Sequence, residues 1–103
     1  MPAYLIVIRE EPVRDPDELA LYNAKARQLP RGEQPMIPRV FEGAVTTLEG
    51  PAPNAVVVLE FESVEAAKAW YERSDYQAVL THRKKGADHR VIIAEGFAPP
   101  KAS

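Results

Sequence analysis

In the stretch "SDYQAVLTHRKK", Tyr76, Val79, Leu80 and Arg83 stand at offsets zero, three, four and seven, the stripe that a helix turns toward a core. A guanidinium on such a stripe needs a partner or a ligand, because an unpaired buried charge is very costly. Either the Arg83 stem packs while its head reaches Glu10 or solvent, or the head holds an anionic group. Together with Arg9 it could hold a carboxylate or an enolate while Tyr22 and His82 move protons. Trp70, Tyr71 and Tyr76 would then wall the cavity and orient a flat ligand. Each residue also has a plain structural use. The aromatics can fill a core, each needing one polar partner, as can Tyr22, and His82 can serve the negative end of a helix dipole.

Several other chemistries are missing. There are no cysteines, which removes disulfides, thiolate metal sites and cysteine nucleophiles. His82 and His89, the two histidines, are not spaced for one helical turn and have no carboxylate cluster beside them, so no metal site is expected within the chain. No nucleophile motif and no glycine-rich phosphate loop occurs, and no cofactor is expected. The formal net charge is -2, from 13 basic and 15 acidic residues well mixed, which gives no field to hold a nucleic acid. "MPAYLIVIREEPVRD" has no basic segment ahead of its apolar run, which breaks at Arg9, far short of a membrane span. A cytoplasmic protein of the bacterial kind, with no membrane partner, is the resulting expectation.

The elements that must position these residues follow from pattern and punctuation. With 103 residues, 46% hydrophobic and 27% charged, the chain reads as one globular domain over 1–97 with a frayed tail over 98–103. "AYLIVIRE" is apolar on both alternations, as in a central strand buried on both faces. Asp15 caps a helix that has Pro16 at its first position and the stripe Leu19, Tyr22, Ala26 and Leu29. "PRGEQPMIP", residues 30–38, reads as a loop and a candidate lid. "RVFEGAVTTLEG" alternates as a strand that turns at "GPAPN" into the apolar strand "AVVVLEFE". Ser63 caps the next helix, and Ser74 with Gln77 predicts a capping box, so that helix breaks near Arg73 and restarts. "HRVIIAEGF" is the final strand.

The order βαββαβ implies an α+β, ferredoxin-like fold, with an antiparallel four-stranded sheet ordered 4-1-3-2 and all helices on one face. The bare face would expose an apolar patch, so a homodimer packed sheet to sheet is expected. At one end of the sheet the topology gathers Arg9, Glu10, His89 and Arg90, and the last helix delivers His82 and Arg83 there, forming a small positive mouth. Arg39, Glu60 and Glu95 fall at the opposite end. A cavity is expected where the helix breaks and the bulky aromatics follow Ala66, Ala67 and Ala69.

The run "LEFESVEAAKAWYERSDYQ" and the weaker N-terminal pattern "YLI…DP…LALY" resemble the small bacterial proteins grouped as domain of unknown function 1330, in the dimeric α/β-barrel superfamily. Where such proteins often show a glycine pair before the second strand, this chain has "EQPMIPRV". The resemblance implies a ferredoxin-like dimer and no settled activity. Related barrels include isomerases, cyclases and cofactor-free oxygenases, so one reading is a cofactor-independent enzyme acting on a small anionic or aromatic metabolite. The alternative is a non-catalytic dimer that binds a small molecule or stabilises a partner protein. A haem-handling barrel is a third reading and needs His82 or His89 as proximal ligand.

Overall fold

In the computed structural model, which describes residues 1–30 and 35–97, four strands and three helices follow in the order β1 (Ala3–Arg9), α1 (Pro16–Arg27), β2 (Ile37–Phe41), β3 (Ala55–Phe61), α2 (Val64–Tyr71), α3 (Ser74–Gly86) and β4 (Arg90–Glu95). The strands form one antiparallel sheet, β2-β3-β1-β4, which is the expected 4-1-3-2 order read from the other edge. Leu5 faces Leu59 and Ile93 across its two neighbours, and Ile6 faces Val58 and Ile92. With side chains alternating, the odd positions of β1, Ala3 to Arg9, lie toward the helices and the even ones toward the open face. The core on the helix side is Leu5, Leu59 and Phe61 under Ala66 and Ala67, whose small side chains let α2 approach the sheet.

Local chemistry fixes two of the helix starts as the caps require. The Asp15 carboxylate accepts from the backbone N–H of Asp17 and Glu18 at 3.1 and 3.3 Å, and Ser63 Oγ accepts from Ala66 N–H at 3.0 Å. The third start departs from the expected capping box. Ser74 is the first helical residue of α3, Arg73 holds the cap position without a side-chain cap bond, and Gln77 donates to the Tyr71 carbonyl at 2.7 Å instead. The break falls where expected, but an Arg73–Asp75 pair holds it. Arg73 Nε and Nη2 reach the two carboxylate oxygens at 3.0 and 2.6 Å. The arginine and the Tyr76 backbone N–H hold the Asp75 carboxyl below its ordinary range.

The second strand is shorter than its alternation suggests. It ends at Phe41, Glu42 takes a left-handed φ of 53°, and the chain then runs without regular structure to Asn54. Pro51 and Pro53 lack the N–H that a longer ladder would use. The strand also starts earlier, at Ile37, inside the expected loop, with an irregular register between Pro38 and Val40. Pro38 is tolerated because β2 is an edge strand. Residues 31–34 of the expected lid and the expected tail, 98–103, lie outside the described residues.

α1 packs on α3 and not on any strand. Gly86 makes that docking close: its carbonyl accepts from the N–H groups of Arg14 and Asp15 at 2.7 and 3.0 Å, and an added Cβ would meet Leu19 N at 2.9 Å and Asp15 O at 3.1 Å. Gly86→Ala should therefore destabilise by about 1–2 kcal/mol despite its better helix propensity, since backbone has to move. A fall of roughly 4–16 °C in thermal midpoint is expected, and an unchanged or higher midpoint would contradict the contact.

Candidate functional site

Because α1 rests on α3 alone, a cleft of about 710 Å³ opens between α1 and the sheet. Its floor is Leu5, Val7, Val57 and Leu59, its roof Leu19, Tyr22 and Ala26, and its inner end Trp70 and Tyr76, while His89 joins the lining across from Arg9. The stripe read on α1 is the face that lines the cleft, and no residue of that helix is buried. Pro30, Pro35 and Met36 also line it.

The aromatics form a continuous cluster at the inner end. Trp70 lies between Phe61 and Tyr76, with ring centroids at 5.7 and 4.5 Å, and Tyr71 packs on Tyr76 at 5.8 Å. Tyr22 meets Tyr76 edge to face at 6.2 Å, and their hydroxyls share a hydrogen bond of 2.8 Å. Burial and the facing Tyr22 phenol push the Tyr76 hydroxyl above its ordinary range, so it stays protonated. Within this group Tyr22, Trp70 and Tyr76 line the large cleft, whereas Tyr71 lines a neighbouring compartment of about 390 Å³ with Arg83, Lys84, Ala87, Asp88, His89 and Val91.

The cations separate into a paired one and an uncompensated one. Arg9, 7% exposed, lines the large cleft and donates from Nε to Asn54 Oδ1 at 2.6 Å, with Glu42 at 3.5 Å. Arg83 is 6% exposed, as its stripe position requires, but it does not reach Glu10, which is held by Arg90 at 2.9 Å. Its guanidinium carbon lies 5.9 Å from the Tyr22 ring centre, and its Nε has no hydrogen-bond partner. His82 faces α1 instead: Nδ1 lies 2.7 Å from Glu18 Oε2 and Nε2 lies 3.2 Å from Lys25 Nζ, away from both cavities. At the other end of the sheet Arg39 pairs with Glu60 at 3.0 Å.

His89, which sequence reasoning grouped with the positive mouth but not with the site, is the one described residue that lines both cavities. Burial, then the positive fields of Arg83 and Arg9, outweigh the pull of the Ala87 carbonyl and Asp88 and hold its imidazole down to about 4, so it is neutral near pH 7, and its buried Nδ1 makes no hydrogen bond of good geometry. The signal was available in the register: Ile8 pairs with Arg90, which sets His89 across from Arg9. Arg73 was also missed as a lining residue. Among the described residues no group of three or more His, Cys, Asp or Glu could hold a metal ion.

Fold and cleft together define a small ferredoxin-like α+β protein with a cavity under its first helix. The chain belongs to the family described as Domain of unknown function (DUF1330), whose model matches residues 2–97. No curated protein matches it. Among solved structures it is similar to an ethyl tert-butyl ether d (ethd) family protein from Bacillus halodurans, with a TM-score of 0.60 and 17% identity over 94% of this chain and 100% of that one. A protein of unknown function from Rhodopseudomonas palustris superposes with a TM-score of 0.58 and 18% identity, covering 95% and 84% of the two chains. A dimeric protein of unknown function and ferredoxin-like fold from Bacteroides fragilis gives a TM-score of 0.53 and 15% identity over 92% and 96%. At such identities the likeness carries the fold.

Two outcomes follow from the site geometry. Tyr22→Phe leaves the buried Tyr76 hydroxyl without its partner and should cost about 1–3 kcal/mol in denaturant unfolding. Between pH 6.5, where an unfolded imidazole titrates, and about 4, where His89 does, the unfolded chain binds a proton that the folded one refuses, so stability falls with falling pH. His89→Asn should make the unfolding midpoint less sensitive to pH across that window. An unaltered pH profile would show that His89 titrates normally.

Proposed function

We propose that this protein is a homodimer that binds a small, flat, largely apolar metabolite in the cleft under α1, and acts on it as a cofactor-independent enzyme of isomerase, cyclase or oxygenase type. The observation that carries the reading is the Tyr22–Tyr76 hydroxyl pair at the inner end of a largely apolar cleft of about 710 Å³. Cavities of this size and make-up, with a few convergent polar groups, are the usual form of a small-molecule site. Trp70 and Tyr76 offer stacking surfaces, and the paired hydroxyls offer one donor and one acceptor to a ligand carbonyl or phenol. Arg9 adds a positive end to the same space. The phenol pair serves as hydrogen-bond and proton donor, and His82 is engaged by Glu18 and Lys25.

That engagement of His82 also favours the second reading, a binding protein without turnover, because His82 is the imidazole expected to move protons and it lines neither cavity. The two are distinguished by Tyr22→Phe on a substrate once one is found: loss of turnover with binding retained supports the enzyme, and a ligand that is bound but never converted supports the binding protein. Trp70 is the single tryptophan, so binding is read directly from its fluorescence. A panel of phenols, aromatic acids and cyclic ketones should include a compound that quenches Trp70 and raises the thermal midpoint, by about 2.7 kcal/mol of stabilisation at a hundred times its Kd. A panel with no effect on either would remove the small-molecule reading.

The dimer reading rests on the open sheet face, where Ile6, Ile8, Val56, Val58 and Ile92 form a contiguous apolar surface and Ile92 is 43% exposed. The Bacteroides fragilis relative is described as dimeric. Ile92→Asp should give a folded monomer in sedimentation velocity, and a persisting dimer would move the interface elsewhere.

A further inference from the structure

The smaller compartment is built where the end of α2, the last turn of α3 and the start of β4 meet, and its polar lining is Tyr71, Arg83, Lys84, Asp88 and His89. Two side chains there are short of partners. Arg83 is 94% buried, its Nε has no acceptor, and no carboxylate of a described residue lies within ion-pair distance of it. Four acids of the surrounding segments are engaged elsewhere: Glu10 with Arg90, Glu42 with Arg9, Glu18 with His82, and Asp88, mostly exposed, with Arg14 at 3.3 Å. His89 presents a second orphaned atom, Nδ1, in the wall between the two cavities. A buried guanidinium with no described carboxylate in ion-pair distance, beside a neutral imidazole, is a pair of groups suited to hold an anion.

We infer that this compartment is a carboxylate site, and that the ligand is a monocarboxylic acid whose head is held by Arg83 and His89 while its apolar body extends past His89 into the cleft under α1. The inference deepens the proposed function and depends on it for the body only. The planar guanidinium fork matches the two oxygens of a carboxylate. His89 in its Nδ1–H tautomer adds a third donor, and Lys84 supplies long-range attraction. Asp88 on the same lining opposes a second negative charge, which favours a monoanion over phosphate. An anion between Arg83 and His89 offsets the positive fields that keep the imidazole neutral, so binding and His89 protonation are linked. The groups acting on that imidazole are Arg83 from α3, Arg9 from β1, the Ala87 carbonyl and Asp88, and Lys84 and Tyr71 share its compartment.

The test is an NMR pH titration of the two histidines in the whole protein, assigned with His82→Gln, in acetate, benzoate, phosphate and neutral benzamide. Benzoate should raise the His89 midpoint by about one unit or more and bind at least about tenfold more tightly than benzamide, with acetate giving a smaller rise. Arg83→Met removes an uncompensated charge and should fold at least as well, raise the His89 midpoint without ligand, and weaken benzoate about tenfold. Arg83→Lys, which keeps the charge and loses the fork, should weaken it by less and serves if Arg83→Met does not fold. The carboxylate site is overturned if acetate and benzoate leave His89 unmoved, if benzamide binds as tightly as benzoate, or if neither Arg83 variant weakens benzoate. Phosphate binding above the carboxylates would overturn the choice of a monoanion. A His89 shift with acetate, and no tighter binding of benzoate than acetate, would uphold the anion site and remove the apolar cleft from ligand binding.

Discussion

Arg73 joins three parts of the molecule at the break between α2 and α3. It grips Asp75 with two hydrogen bonds and donates to the Pro30 carbonyl at 2.9 Å, so it ties the start of α3 to the chain just beyond α1. The helix covering the sheet is thereby stopped after Tyr71, and the chain continues in a helix whose buried face meets α1. The break is what converts a two-layer fold into a fold with a cavity.

Once the two helical layers separate, the aromatic residues take on a dual use. Trp70 and Tyr76 seal the inner end of the cleft against Phe61, and the Tyr22–Tyr76 hydroxyl pair ties α1 to α3. A polar pair in that position satisfies two phenols that would otherwise be unpaired, and it leaves polar atoms facing an apolar space. The same separation explains the contrast between the two buried arginines. Arg9 ends a strand, where Asn54 and Glu42 from the neighbouring segments can reach it. Arg83 is carried inward by the helix stripe to a place where the surrounding elements bring aromatic rings and an imidazole but, among the described residues, no carboxylate within ion-pair distance.

The ferredoxin-like arrangement hosts unrelated functions, so membership of the family and likeness to solved structures fix the scaffold and leave the chemistry to the site. For this chain the informative features are the ones a packed core would avoid: a cleft under the first helix, a buried guanidinium without an ion pair among the described residues, and a buried neutral imidazole.

Strand order, helix starts at Asp15 and Ser63, and the inward position of Arg83 were all readable in the sequence, because caps, periodicity and chain reversal are local or follow from a short list of topologies. The break near Arg73 was readable too, although its cause was misassigned: Ser74 and Gln77 match a capping box, yet the arginine fork onto Asp75 takes that role. The length of the second strand was not readable, since alternation in "RVFEGAVTTLEG" persists beyond the point where Glu42 turns left-handed and the pairing ends. Partners across elements were decided by tertiary structure alone. Whether His82 met Glu18, whether Arg83 met Glu10, and whether His89 stood between two cavities depended on helix docking over distances of tens of residues, and no local pattern encodes that docking. Sequence determined which side chains would be turned inward, and the way α1 and α3 pack on each other decided what they would meet there.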